Sequence, residues 1–213
     1  MSDLFSIQLQ NRQQQGRDGV WLDLPTTTEQ VQAALRQIGI SSDNPQGLFI
    51  SGYFAEEEKR FAIPYNMVLA SSVDELNFLA ARLETLSAGE RAELNAALQT
   101  PQGELSSIGR ITDFPENVEY YVHLPDVRGP VQLGDYYLNR SGMVDMPEEW
   151  KGGIDTAQFG RYVAQQEQGA FTQYGYLVKS GDEWQKVYEG QPVPEEYRVL
   201  SFPASEILRD AAN

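Results

Sequence analysis

The 213-residue chain has no cysteine and only one histidine. Without thiols there can be no disulfide, no thiolate metal site and no cysteine nucleophile. That composition suits a reducing compartment, and a cytoplasmic location is expected. A lone His123, set between Val122 and Leu124-Pro125, cannot build a zinc site and offers general-base chemistry no neighbouring partner, so it reads as a surface or capping side chain. Asp43-Asn44 with Gln46-Gly47 lacks the closing bidentate glutamate of a calcium loop and reads as a turn. No metal and no cofactor is expected. Phosphate-cradling, nucleophile-elbow and metalloprotease-helix motifs are missing too. Bases are scarce: 16 Lys+Arg stand against 31 Asp+Glu, a net charge of −15. Gripping nucleic acid or an anionic membrane needs a basic footprint, so direct binding to either is not expected. No apolar run approaches the roughly 18 residues of a membrane helix, and Met1 to Ser6 has no basic stretch leading into an apolar one, so no signal peptide is read there.

What is present is a core-forming chain. Hydrophobic residues make up 41% and aromatics 11%, which separates it from an acidic solvated coil. The acids are spread along it. Residues 1–60 hold 8 acids and 5 bases, residues 61–126 hold 10 and 3, and residues 127–213 hold 13 and 8. The surplus is therefore no detachable tail, and it is densest in the middle.

The patterning predicts an α+β chain of three small domains, 1–62, 63–126 and 127–213. In the first, Phe5, Ile7 and Leu9 alternate with polar residues, Val20–Leu24 forms a second strand across a Gln-rich loop, and Leu48–Phe54 supplies a third. Thr26 and Glu29 have capping-box spacing ahead of a helix through Ile38, with Gly39 at its end. In the second, Ser72/Glu75 and Ser87/Glu90 open two consecutive helices, and Glu104–Thr112 and Glu116–Tyr121 read as shorter helical stretches. The third is mixed: a helix over Leu133–Arg140, a turn opened by Pro147 at the first helical position, and a helix capped by Asp155 and ending at Gly169. A hairpin of Ala170–Lys179 with Glu183–Tyr188 follows, then a last helical turn from Ser205 to Ala211.

Paired carboxylates are frequent, and a glycosidase works with two of them across a sugar cleft, so an acidic hydrolase is one reading. Acids at helical spacing lie about 5–6 Å apart and form a regular negative array, which a groove built for phosphates would accept. The candidate phosphate-mimicking set is Glu56, Glu57, Glu58, Asp74, Glu75, Glu84, Glu90, Glu93, Glu104, Asp113, Glu116, Glu119, Asp126 and Asp135.

Three blocks carry a resemblance. Phe49-Ile50-Ser51-Gly52-Tyr53 is followed by Phe61-Ala62-Ile63 and by Ser71-Ser72-Val73-Asp74-Glu75-Leu76-Asn77. Gly134-Asp135-Tyr136-Tyr137 is followed by Gly142, Pro147, Ile154-Asp155 and Phe159-Gly160-Arg161. Gly19-Val20-Trp21-Leu22-Asp23-Leu24-Pro25 forms the third and lies first along the chain. The blocks appear in the family's order, cover roughly residues 4–178, and resemble the ArdA antirestriction family. Two positions depart from its pattern: Gly52 stands where the family has Asp, and Tyr162 where it has an acidic residue. The resemblance implies an elongated homodimer of three-domain chains. It implies a non-enzymatic decoy of bent duplex DNA, seated in the DNA-binding groove of a type I restriction-modification enzyme. It further implies dimerisation through the third domain, with the family's antirestriction motif falling near Arg140–Phe159. Met143, Val144, Met146 and Trp150 are then the candidate interface residues. A mimic aimed at another system, such as a CRISPR effector or a nucleoid protein, or a plain interaction domain, would share the acidic surface.

Overall fold

The computed structural model describes residues 4–14, 16, 18–56, 60–100 and 104–205. Among them are eight α-helices and two three-stranded antiparallel sheets, an α+β fold. The chain divides into two compact units, each assembled from separated stretches: Met1–Leu86, Leu105–Pro115 and Lys186–Asn213 in the first, Ser87–Glu104 and Glu116–Gln185 in the second.

The first unit is built on β1 (Phe5–Asn11), β2 (Val20–Leu24) and β3 (Leu48–Phe54), in the order β2-β1-β3. The alternation in β1 does what a period of two requires: Phe5, Ile7 and Leu9 are buried, leaving Ser6, Gln8 and Gln10 on the outward face. Helix α1 (Thr28–Gln37) buries Val31, Ala34 and Leu35. Its capping box is Thr27/Gln30, one residue later than the expected Thr26/Glu29. Thr26 is occupied elsewhere: its N–H donates to Asn77 Oδ1 at 2.7 Å and its hydroxyl to Gln30 Oε1 at 2.9 Å. Gly39 takes φ +69°, as a helix-ending glycine does. Helices α2 (Tyr65–Leu69) and α3 (Val73–Glu84) follow, α3 opening on the Ser72/Glu75 box and burying Leu76, Leu79, Ala80 and Leu83. Helix α5 (Ile108–Asp113) and the returning chain from Lys186 complete the unit.

Helix α4 (Ala88–Gln99) opens the second unit on the Ser87/Glu90 box. The remainder is β4 (Tyr121–Leu124), α6 (Pro130–Asp135), α7 (Glu148–Lys151), α8 (Thr156–Glu167), β5 (Ala170–Thr172) and β6 (Gly175–Lys179), with strand order β4-β6-β5. Helices α6 and α8 cross at two glycines: a Cβ on Gly160 would lie 1.8 Å from the Pro130 carbonyl oxygen, and one on Gly134 2.1 Å from that of Thr156. Only hydrogen fits at either position.

Several expectations are corrected here. Residues 116–121 do not form a helix but two 3-10 turns, Phe114–Glu116 and Val118–Tyr120, leading into β4. Pro115 offers no N–H, and the Asn117 side chain is held by the backbone of Gln185, accepting from its N–H at 2.7 Å and donating to its carbonyl at 3.0 Å. The helix expected over Leu133–Arg140 starts at Pro130 and widens to a π-turn at Tyr136–Arg140. Pro147 is the N-cap of α7 rather than its first residue. The hairpin lies within Ala170–Lys179, β5 against β6, and residues 183–188 form no strand. The left-handed residue after α8 is Gln168, φ 56°, not Gly169. Gly169 serves packing instead, since a Cβ there would lie 2.0 Å from the Tyr176 hydroxyl. The final turn expected from Ser205 lies, beyond Ser205 itself, outside the described residues.

Candidate functional site

Two carboxylates of the first unit are spent on the chain itself. Asp113, at the end of α5, is 0% exposed. It accepts from the backbone N–H groups of Val187 (3.3 Å), Tyr188 (2.6 Å) and Glu189 (3.2 Å). Asp74, in the first turn of α3, accepts at Oδ1 from Val199 N (2.8 Å) and Leu200 N (2.7 Å). Asn77 donates to the Tyr197 carbonyl at 3.0 Å, and Phe78 packs against Tyr188 and Tyr197. Together they pin the returning chain. Buried N–H groups need acceptors, and a carboxylate is a strong one. Asp113 therefore leaves the candidate phosphate-mimicking set: no part of it reaches a surface. Glu75 closes the α3 cap, taking the Ser72 N–H at 2.8 Å. Glu84 ends α3 half-buried and Glu56 is exposed just past β3; Glu57 and Glu58 lie outside the described residues.

The second unit holds 14 acidic and 6 basic residues. Glu116, Glu119 and Asp126 are exposed. Glu90 caps α4, and its hydrogen bonds from Ser87 hold its carboxyl below the usual range. Glu93, one turn later, behaves in the opposite way. Burial, with the nearby Glu90 charge adding to it, pushes its carboxyl up to about 8, and its Oε1 is buried with no hydrogen-bond partner. Glu93 is thus predominantly protonated at neutral pH and contributes little negative charge there. Glu104 pairs with Lys179 at 2.5 Å, and Asp135 with Arg140 at 3.3 Å and with the Asn139 side chain. Lys151 is taken up by Glu148 at 2.6 Å. Arg140, Lys151 and Lys179 are thereby neutralised locally, and the unit's acids outnumber its bases.

The Arg140–Phe159 stretch bears the two most exposed large apolar side chains among the described residues of this unit. Met143 is 74% and Trp150 68% exposed, while Val144 and Met146 are half-buried. Exposed acids Asp145, Glu148 and Glu149 are interleaved with them; the candidate set had not included them, although they adjoin the expected interface residues in sequence.

Glu167, at the end of α8, was also missed. One of its oxygens accepts from the Tyr137 hydroxyl and the other from Tyr176 at 3.0 Å. Burial, then Glu167 itself, pushes both phenols well above their ordinary range. The three residues come from α8, the π-turn and β6, so no local spacing could have joined them. His123 is structural, its ring Nε2 donating to the Tyr174 carbonyl at 2.8 Å. Among the described residues no group of three or more His, Asp or Glu side chains is placed to hold a metal ion, and no helix is long and apolar enough to cross a membrane.

A protein-family model described as antirestriction protein (ArdA) matches residues 15–178. No curated protein matches the chain. The returning segment pinned by Asp74 and Asp113 lies beyond the matched residues.

Proposed function

The chain belongs to the ArdA antirestriction family, a family of inhibitors, and from that premise we propose that it blocks restriction by standing in for DNA. Its partner in this reading is a type I restriction-modification enzyme, whose DNA-binding groove it occupies as a homodimer without any chemical step. The observation that carries the reading is the acidic excess of the second unit. Glu116, Glu119 and Asp126 remain exposed after Asp74 and Asp113 are assigned to the fold and Glu93 to its proton. A surface of one sign speeds encounter with a basic groove and competes with DNA phosphates for its cationic side chains. Met143, Val144, Met146 and Trp150 form the dimer contact in this proposal, and segments 1–62, 63–126 and 127–213 are its working modules.

The test is a competition assay. Cleavage and duplex binding by a purified type I enzyme are followed while this protein is titrated in, at a low and a high salt concentration. Inhibition that excess duplex relieves, and that weakens as salt rises, is expected. No inhibition at low salt would sink the proposal.

A further inference from the structure

The outward face of the first sheet holds a feature that negative charge alone does not explain. Trp21 on β2 and Phe54 on β3 are 49% and 52% exposed, and their rings meet edge to face with centroids 6.4 Å apart. They flank the central strand, where Gln8 pairs with Trp21 on one side and Gly52 on the other. The indole lies against Gly52: a Cβ there would lie 3.0 Å from Trp21 Cη2, so the ring uses the space a side chain would fill. Single exposed aromatics are ordinary, but a contiguous pair on an uncovered sheet face marks a contact surface.

Beside Phe54 the surface dips into a cleft of about 270 Å³ that Ser6, Asp23 and Glu56 also line. Asp23 stands opposite Ser6 in the strand register, and the Ser6 hydroxyl donates to its Oδ1 at 2.6 Å, which fixes the carboxylate in place. The same face already holds one guanidinium on a ring, Arg12 over Phe49 at 5.2 Å, with Phe49 paired to the outward-facing Gln10.

The geometry points to a seat for an arginine side chain presented by a protein partner. Its planar guanidinium stacks on the Phe54 ring, which the Trp21 ring buttresses at 73°, and directs N–H groups to Asp23. Arginine suits the site better than lysine because it is flat, weakly hydrated and donates through a fork, whereas an ammonium is a strongly hydrated point. Phosphates are repelled by the two carboxylates. The inference goes beyond occupancy of a DNA groove: it needs only a partner surface with arginine on it.

The test uses the full chain, labelled at its indole N–H groups, with an oligo-arginine and an oligo-lysine peptide of equal length. Oligo-arginine should shift the Trp21 indole resonance and bind about fivefold more tightly than oligo-lysine. Trp21→Leu and Phe54→Leu should each bring arginine binding down to the lysine level and leave lysine binding unchanged. Asp23→Asn keeps both rings and should weaken oligo-arginine binding; it serves where a ring substitution fails to fold. Equal affinities for the two peptides with an unmoved Trp21 resonance, or an Asp23→Asn chain that binds oligo-arginine like the wild type, would overturn the assignment.

Discussion

Asp113 in the first unit and Asp126 in the second carry the same functional group and do opposite things. Asp113 is wholly buried and takes three backbone N–H groups from a segment that begins 74 residues later. Asp126 sits in the open just past β4. The contrast is one of positions rather than of whole units, since Glu56 of the first unit is exposed and Glu104 and Glu167 of the second are engaged. In the first unit Asp74 and Asp113 hold the returning chain, whereas in the second Glu116, Glu119 and Asp126 are exposed. Net charge therefore overstates the surface a partner meets, because part of it is committed to folding.

The largest effect expected of a single substitution lies in the second unit, at a glycine of the α6–α8 crossing. Gly160→Ala places a methyl 1.8 Å from the Pro130 carbonyl oxygen. Because the obstacle is backbone, the α6–α8 crossing must open, at a cost of about 3 kcal/mol or more; denaturant unfolding should show it as a collapse of the second unit's transition.

The next largest effect belongs to the first unit. Asp113→Ala leaves three N–H groups without their acceptor and should destabilise by on the order of 3 kcal/mol, whereas Asp126→Ala should stay within about 0.5 kcal/mol of wild type. Equal losses from the two substitutions, in the same melting experiment, would erase the distinction between them.

Glu93 sharpens the comparison through pH. Its folded carboxyl titrates near 8, above the ordinary carboxylate value of 4.5. Between those values the folded chain holds a proton that the unfolded chain has released, so this group's contribution to stability falls as pH rises through that window. Glu93→Gln should melt like wild type near pH 5 and at a higher temperature near pH 9. Parallel melting curves across that range would contradict the burial of this carboxyl.

What was legible in the sequence was what is settled within three or four residues. The Ser72/Glu75 and Ser87/Glu90 boxes formed where their spacing placed them, and the alternation of Phe5, Ile7 and Leu9 gave the buried face of β1. The α1 cap slipped by one residue because Asn77, distant in sequence, claims the Thr26 N–H. The partners of Asp74 lie 125 and 126 residues away, so its spacing within α3 carried no sign of them and it read as a surface acid. The same blindness produced the misplaced hairpin: residues 187–189 are drawn to Asp113, and Gln185 to Asn117, which leaves no pairing edge for 183–188. Of the candidate surface, the exposed acids of the second unit could be read as acids but not as exposed. Glu167 and its two tyrosines could not be read at all.

The central claim is that the exposed carboxylates of the second unit, and not the acidic total, engage the partner. The direct measurement is inhibition of type I restriction cleavage by Glu116→Gln/Glu119→Gln/Asp126→Asn, compared with wild type at two salt concentrations after confirming unchanged melting. The triple variant should need about tenfold more protein for half-inhibition at low salt, from three losses of about 0.5 kcal/mol each, and its salt dependence should be shallower. Inhibition identical to wild type at both salt concentrations would contradict it.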